Sequence, residues 1–376
     1  MYGVIDSVAR KIKKVYGAIG SVTKKVSKIY AVVNGVTRLI FSSEVKASKY
    51  GTASSGLSSA RYQLSGASVG DYAIFAGGAL TYPVQTVDAY NSSLTKNSSI
   101  SALPNYTSDA GAASIGNYAL FAGGVTFDGY STRSSQAYVI KYDISLTRGY
   151  ASSLSTARDN MAEGNVGEYA VFYGGREYND SAPGESVCDI YNASLTKQYK
   201  YLAYALYRFG KGSANVGDYI VFPGGRNYSS GVQRQITFLN SSLTYDYSSQ
   251  TLPTGVCGWA AGHTQDYAIL TGGLPPSSNS ASTQVIAWNS SLTQSVLTSL
   301  SYAKCDHACA SLNGIVIVGG GFSGGTYVDS YDNSLTKTAL TATSVTHAYC
   351  AAATAGIYAL FAGSSSSTTV DVYQVK

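Results

Sequence analysis

The sequence predicts an all-β protein whose main part is a seven-bladed β-propeller. The first observation is a pair of glycines that follows a short apolar run at intervals of 44 to 51 residues. The pairs, with a degraded seventh copy, begin at Gly77, Gly123, Gly174, Gly224, Gly272, Gly319 and Gly363. A repeat length near 50 residues is typical of propellers, in which each repeat forms one small sheet. The other two observations are a recurring turn and a strand missing from the last repeat.

Each repeat is predicted to form four antiparallel strands, which make one blade. In the third repeat a small-residue strand at 158–166 precedes an apolar strand at 169–173 that ends in the glycine pair. A third strand at 187–191 and a fourth strand that runs to about Leu202 follow. The second strand lacks polar alternation, which indicates that neighbouring blades cover both of its faces.

A turn of nearly constant sequence joins the third and fourth strands. Its copies continue as x-Ser-Leu-Thr and begin at Asn91, Asp143, Asn192, Asn240, Asn289 and Asp332. An Asn or Asp side chain can bond the backbone two residues further on, which favours a tight turn. Several copies match the N-glycosylation triplet, but the fixed place in the repeat favours the turn. An aromatic residue precedes this position in six of the seven repeats, which indicates packing within the blades.

The seventh repeat has no fourth strand, and a matching strand occurs before the first repeat. The sequence ends at Lys376, shortly after the third strand at 370–373, whereas residues 50–61 resemble the fourth strand at 150–158. We therefore expect a strand at about 46–57 to pair with 370–373 and close the ring. Closure of this kind removes the unpaired edges of the sheet.

The order of strand, Gly-Gly, loop, Val-Asp-x-Tyr-Asn and a small-residue strand entering Arg is similar to the kelch repeat. The resemblance covers about residues 45–376, although the tryptophan usual in the fourth kelch strand is absent. It implies a kelch-like propeller. It implies no particular activity, because kelch propellers serve as enzymes, adhesins and adaptors.

Residues 1–42 form a basic segment before the propeller domain at 43–376. The segment carries a charge of +7, the remainder carries −2, and its sequence repeats every 14 residues. Apolar residues three and four apart would suit a coiled coil, whereas glycines, β-branched residues and Asn34-Gly35 favour hairpins. The segment resembles repeats at the start of virion proteins of phages and prophages of Gram-positive bacteria. This resemblance implies that it anchors the chain to a virus particle.

The sequence contains little that is typical of an enzyme. Three histidines occur, no Gly-x-Ser-x-Gly motif accompanies them, and no glycine-rich phosphate loop precedes a helix. Cys305, His307 and Cys309 share one strand face, but a fourth metal ligand is not evident. Five scattered cysteines argue against a disulfide framework. We expect no catalytic residues, no metal and no cofactor.

One set of residues suggests a ligand-binding face. Three of its members lie 16 residues before a glycine pair, at the start of the innermost strand, and the others lie on the loops after the pairs. The set is Arg61, Arg158, Arg208, Arg176, Arg226, Tyr178 and Tyr228. Arginine and tyrosine on loops held by a rigid scaffold suit sugars, including acidic ones, or a protein partner. The alternative is that the arginines bond carbonyl groups at strand ends between blades.

The sequence therefore predicts a non-enzymatic phage virion component, such as a fibre, decoration protein or adhesin. Residues 1–42 would bind other virion proteins or further copies of the chain, and the propeller would bind host-surface or mucosal glycan. A purely structural decoration protein is the alternative, followed by a glycan-active enzyme or an adaptor. We expect no nucleic-acid partner and no membrane insertion, because no apolar run approaches the length of a membrane span.

Overall fold

The computed structural model describes most of the chain after residue 44 and the backbone of four strands before it. The described residues are 16–19, 22–25, 28–33, 36–42, 45–128, 132–178, 185–206, 214–227, 231–247, 250–276, 280–323 and 325–376. The chain divides into two compact units, Met1–Lys46 and Ala47–Lys376.

The described part of the first unit consists of two antiparallel hairpins. Tyr16–Ile19 pairs with Val22–Lys25, and Lys28–Val33 pairs with Val36–Ser42. These residues therefore form strands, in agreement with the hairpin interpretation and not with the coiled coil. The rest of residues 1–42 lies outside the described residues.

The second unit contains seven four-stranded antiparallel sheets, which are the predicted blades. The first strands are Ser65–Val69, Gly111–Ile115, Ala162–Val166, Asn215–Val216, Ala260–His263, Ala308–Leu312 and Ala351–Ala355. The second strands are Tyr72–Ala76, Tyr118–Ala122, Tyr169–Tyr173, Tyr219–Pro223, Tyr267–Thr271, Ile315–Gly319 and Tyr358–Ala362. The third strands are Val87–Tyr90, Val139–Asp143, Glu185–Asn192, Ile236–Asn240, Val285–Asn289, Val328–Tyr331 and Val370–Val375.

The fourth strands lie at the outer edge of the blades. In order from the first blade they are Lys96–Asn97, Arg148–Ala151, Lys197–Leu206, Tyr245–Tyr247, Gln294–Val296, Lys337–Leu340 and, for the seventh, Ala47–Thr52. Two small hairpins, Val125–Phe127 with Arg133–Ser135 and Arg226–Asn227 with Gly231–Val232, project from the second and fourth blades. The described residues contain no helix that could cross a membrane.

The blades are arranged around a common centre. First strands of consecutive blades contact one another from the first blade to the seventh and back to the first. Most second strands are buried along their length beyond the first residue, as expected when blades cover both faces. The predicted aromatic residues link blades. Tyr142, Tyr191, Tyr331 and Tyr373 each donate a hydroxyl hydrogen bond to a carbonyl in the linker from the preceding blade.

The predicted ring closure is confirmed. Ala47–Thr52 pairs antiparallel with Val370–Val375, with Lys49 opposite Tyr373 and Ala47 opposite Val375. Beyond this strand, the amide of Leu57 donates to the carbonyl of Thr368. The seventh blade therefore consists of one strand from the front of the unit and three from its end.

The repeated turn also has the predicted conformation. In the first blade the Asn91 side-chain oxygen accepts hydrogen bonds from the amides of Ser93 and Thr95, at 3.0 and 2.9 Å. The leucine of the turn, Leu94, has a φ of 61°, and the equivalent leucines of the next five blades also have positive φ. The hydrogen bonds to the Asn91 side chain therefore stabilise a turn in which the leucine has the left-handed backbone conformation, which is otherwise unfavourable for a residue other than glycine.

The strand order gives the propeller two different faces. We call the face with the interblade linkers and the loops after the glycine pairs the loop face. The face with the first-to-second and third-to-fourth turns is the turn face. Most candidate binding residues belong to the loop face or to strand ends just beneath it.

Candidate functional site

A buried ionic network lies beneath the loop face of the first blade. The Arg61 side chain is fully buried, and its Nη1 lies 2.8 Å from Asp88 Oδ2 on the third strand. Arg61 Nε donates to the carbonyl of Gly77 in the glycine pair, at 2.7 Å. Lys96 Nζ on the fourth strand lies 2.6 Å from Asp88 Oδ1. The network thus joins the linker, the glycine pair and two strands of one blade.

The same network recurs in three other blades. Each contains a buried basic residue, a third-strand aspartate, a lysine on the fourth strand and a linker serine that donates to the aspartate. The members are Arg158, Asp189, Lys197 and Ser155 in the third blade, Lys304, Asp329, Lys337 and Ser301 in the sixth, and His347, Asp371, Lys49 and Ser344 in the seventh. In the sixth blade the Lys304 ammonium bonds the carbonyls of Gly320 and Tyr327.

These networks explain the arginines that the sequence analysis placed on a binding face. Arg61 and Arg158 are both fully buried, and their guanidinium groups bond aspartates and strand carbonyls of their own blades. Neither side chain is accessible to a ligand. The alternative interpretation, that such arginines bond strand-end carbonyls, describes their contacts except that the carbonyls belong to the same blade, and the aspartate adds an ion pair.

The aspartates were missed as functional residues, although the sequence carried a signal. Asp88, Asp189, Asp329 and Asp371 each stand two residues before a buried tyrosine, within the Val-Asp-x-Tyr pattern or a close variant of it. Burial opposes ionisation of Asp88 and Asp189, but the positive charges of Arg61 and Arg158, together with hydrogen bonds to each carboxylate, outweigh it and lower the pKa of each carboxyl.

The other candidate residues have different surroundings. Arg176 is half-buried, with Nε 3.5 Å from the carboxylate of the fully buried Asp159. Tyr178 is half-buried and Arg226 is exposed. Arg208 and Tyr228 lie outside the described residues. The candidates therefore do not form a single exposed arginine cluster among the residues that the structure describes.

Exposed aromatic side chains are a second feature of the loop face. In the described part of the propeller, the large exposed apolar side chains of the loop face are Leu80, Tyr82, Tyr106, Tyr138, Tyr302, Phe322 and Tyr327, whereas those of the turn face are Ile144 and Ile357. Most of the others lie on the outer strands. The asymmetry marks the loop face as the end with contact area for a partner.

Three ring pairs organise these aromatic residues. Tyr82 stacks on Phe127 of the next blade, with ring centroids 4.3 Å apart and an interplanar angle of 13°. Tyr302 stacks on Tyr327 at 5.1 Å and 2°, and Phe322 contacts Tyr349 at 5.6 Å. Arg133 bonds the carbonyl of Thr81, which ties the loop carrying Tyr82 to the second blade. The rings are therefore held in place before any ligand arrives.

The mouth of the ring is lined by polar residues at the starts of the first strands. Gln63, Asp109, Asn160, Asp306 and Tyr349 occupy equivalent positions and all have φ between 47° and 56°. Backbone hydrogen bonds link neighbours around the mouth: Gln63 donates to Tyr349, Asp109 to Gln63, and Asn160 to Asp109. Below it lies a cavity of about 50 Å³, which has room for only a few water molecules. A ligand of sugar size would therefore contact the mouth and not the axis.

The histidine and cysteine residues near the centre have structural contacts. His307 Nε2 and Cys309 Sγ both bond the Thr271 hydroxyl, at 2.8 and 3.4 Å. Burial, with a smaller effect of Lys304, lowers the pKa of His307 to about 3. Among the described residues no group of three or more His, Cys, Asp or Glu side chains is placed to hold a metal ion. The five cysteines, all among the described residues, form no disulfide bond.

Comparison with known proteins supports the fold and nothing finer. No protein-family model and no characterised protein matches the sequence. A solved structure described as "Structure of YjhT" is similar with a TM-score of 0.58 and 16% sequence identity, over 76% of this chain and 98% of that chain. In all, 429 solved chains match. So widespread a fold does not decide between catalysis and binding.

Replacing Arg158 tests the structural role of the buried networks. We expect Arg158→Ala to lower the free energy of unfolding by about 3 kcal/mol or more, because it leaves Asp189 buried with one fewer positive partner. The exposed Arg226→Ala is the matched control and should change stability by less than about 0.5 kcal/mol. Denaturant unfolding measures both, and equal stabilities of the two variants would contradict the assigned role.

The seventh-blade aspartate predicts acid sensitivity. Burial opposes ionisation of Asp371, but hydrogen bonds from His347, Lys49 and Ser344 lower its pKa to about 2. The folded pKa lies below the unfolded value near 3.8, so the stability it contributes is present above pH 4 and is lost as the pH falls toward 2. Asp371→Asn should therefore destabilise the protein at pH 7 and flatten the loss between pH 4 and 2. The exposed Glu168→Gln should keep the parental acid profile.

Proposed function

We propose that this chain is a non-enzymatic component of a phage particle, which displays a propeller that binds host-surface or mucosal glycan. The observation that supports glycan binding is the set of aromatic rings on the loop face, where Tyr82 stacks on Phe127 and Phe322 contacts Tyr349. Aromatic rings with polar neighbours on preformed loops are typical of recognition surfaces. These rings would contact the glycan in place of Arg61 and Arg158, which are fully buried.

The polar mouth of the ring complements the aromatic pairs. Gln63 and Asn160 are half-buried there, and the side chains of Asp109 and Asp306 stand at equivalent positions. Amides and carboxylates bond sugar hydroxyl groups, while the rings supply flat contact area. Since Arg61 and Arg158 are neutralised inside their blades, this surface suits neutral sugars better than acidic ones.

The proposed attachment depends on residues 1–42. The segment carries a charge of +7 and a 14-residue repeat, and its described residues form two-stranded hairpins. A two-stranded hairpin is marginally stable in water, so these hairpins need a partner surface. The likeness of the repeats to virion proteins, together with the kelch-like repeats, supports a displayed propeller. A purely structural decoration protein is the alternative.

Removing residues 1–42 tests the anchor. We expect the full chain to associate into oligomers or to bind other virion proteins, and residues 43–376 to remain monomeric, because the apolar repeat is gone. Light scattering on both forms measures the mass in solution. A full-length monomer whose first 42 residues resist proteolysis would refute the anchor.

Replacing two rings tests the glycan-binding face. We expect the full-length protein to bind on a glycan array, and Tyr82→Ala combined with Phe322→Ala to weaken binding to the best glycan at least about tenfold, or ~1.4 kcal/mol. Tyr201→Ala is the control, because this tyrosine is exposed on an outer strand. Absence of binding, or equal binding by both variants, would favour the structural decoration protein.

A further inference from the structure

The first blade contains one residue more than the second, fifth and sixth blades between two equivalent points. The amide of Leu103 donates to the carbonyl of Gln85, as Leu154, Leu300 and Thr343 do to the corresponding carbonyls in the second, fifth and sixth blades. In the first blade, the segment from Lys96, where the fourth strand begins, to the donor Leu103 is 96–103. It is 148–154, 294–300 and 337–343 in these three blades, which is one residue shorter. In the fourth blade the equivalent segment is 245–252, which is as long as in the first blade.

The extra residue shortens the outer strand. Asn97 Oδ1 accepts a hydrogen bond from the Ser99 amide at 2.8 Å, and the fourth strand ends at Asn97. Only Ala89 and Tyr90 of the third strand pair with it, opposite Asn97 and Lys96. In the second blade the pairing continues to Val139, the counterpart of Val87. Val87 therefore has no partner on the fourth strand.

The backbone of Val87 faces outward. Gly77 donates to the carbonyl of Thr86 on the inner side, whereas Leu103 donates to Gln85 on the outer side. Since the amide and carbonyl groups of successive strand residues point to alternate sides, those of Val87 point to the outer side. One hydrogen-bond donor and one acceptor of the main chain are thus directed toward the space that the shortened strand leaves.

That space is a cleft of about 620 Å³ at the outer edge of the first blade. Hydroxyl and amide side chains dominate its lining, and they are Ser55, Ser58, Gln85, Thr86, Asn97 and Ser98. The ionic groups in its wall are engaged. Lys96 Nζ bonds Asp88 Oδ1, the Gly56 carbonyl and the Ser58 hydroxyl, and Asp88 also pairs with Arg61. The volume is within the range of small-molecule sites.

We propose that this cleft is a binding site for a neutral oligosaccharide that carries acetamido groups. The amide and carbonyl of Val87 match the carbonyl and amide of an acetamido group, and the surrounding hydroxyl and amide side chains match sugar hydroxyls. No carboxylate or guanidinium in the wall is exposed to select an ionic ligand. The site lies away from the aromatic rings and goes beyond the proposed glycan-binding face.

An extended peptide is the competing ligand, because strands can add to an open sheet edge. The opening here is too short for this, since Val87 is its one outward-facing residue and the chain pairs again at Gln85 and Ala89. A peptide strand would gain a single pair of backbone bonds. A sugar can bind through the amide and carbonyl of Val87 together with the polar side chains around them.

Titration of the full-length protein with tri-N-acetylchitotriose tests the site. We expect saturable binding by calorimetry, and at least tenfold weaker binding by Ala102→Trp, whose indole would fill the cleft. The matched control is Ser153→Trp, which places the same ring at the equivalent exposed position of the second blade. Deletion of Ser98 should also abolish binding, because it gives this segment the length that it has in the second, fifth and sixth blades. Thermal unfolding verifies that each variant is folded.

Two comparison ligands decide the chemical class. Maltotriose has hydroxyl groups and no acetamido group, and a blocked tetrapeptide of alternating valine and threonine represents strand addition. The proposal is overturned by absence of chitotriose binding, by equal binding of Ala102→Trp and Ser153→Trp, by maltotriose binding as tightly, or by preference for the peptide. Because Tyr82 and Phe322 are outside the cleft, loss of binding in their variants alone would concern the aromatic face and not this site.

Discussion

The buried third-strand aspartate is the interaction on which four of the seven blades depend. Each aspartate accepts hydrogen bonds from a serine of the incoming linker and pairs with a lysine of the outer strand. In the first, third and seventh blades it also pairs with the basic residue below the loop face, whereas Lys304 of the sixth blade bonds backbone carbonyls and acts on Asp329 through its charge. Removal of a charged partner would leave a fully buried aspartate less well compensated, which is more costly than losing a surface pair. The network therefore fixes where the linker enters each of these four blades. Because the linkers form part of the loop face, the network also fixes the positions of the loop-face residues that they carry.

The basic member of the network varies with its aspartate. The charged blades use arginine twice, lysine once and histidine once, whereas the fifth blade has Val256 and Ile286 at the two positions. The second blade has Thr107 and Ile140 there. Charge is thus present at both positions or at neither in these six blades, whereas the sequence of the fourth blade has Arg208 with Thr237. In the seventh blade the two ring nitrogens of His347 lie within hydrogen-bond distance of the Gly363 carbonyl and of Asp371.

The sequence was sufficient for the propeller but not for the candidate site. Repeat length, apolar second strands and the x-Ser-Leu-Thr turns are local patterns, and the missing strand of the seventh repeat implied the pairing of Ala47–Thr52 with Val370–Val375. The direction of a long arginine side chain depends instead on a residue about 30 positions away, as for Arg158 and Asp189. The aromatic pairs depend on loops of different blades. The cleft beside Val87 follows from one inserted residue, which becomes visible only when equivalent hydrogen bonds align the blades.

The seventh blade joins the two ends of the propeller chemically as well as through its strands. Lys49 and Asp371, 2.9 Å apart, are separated by 322 positions in the chain. During synthesis the outer strand leaves the ribosome first and its partner strand leaves last, so the ring cannot close until translation of the unit is finished. The early blades must therefore persist as an open arc with an unpaired edge. The internal ion pairs of the first, third and sixth blades stabilise these blades before the seventh blade forms.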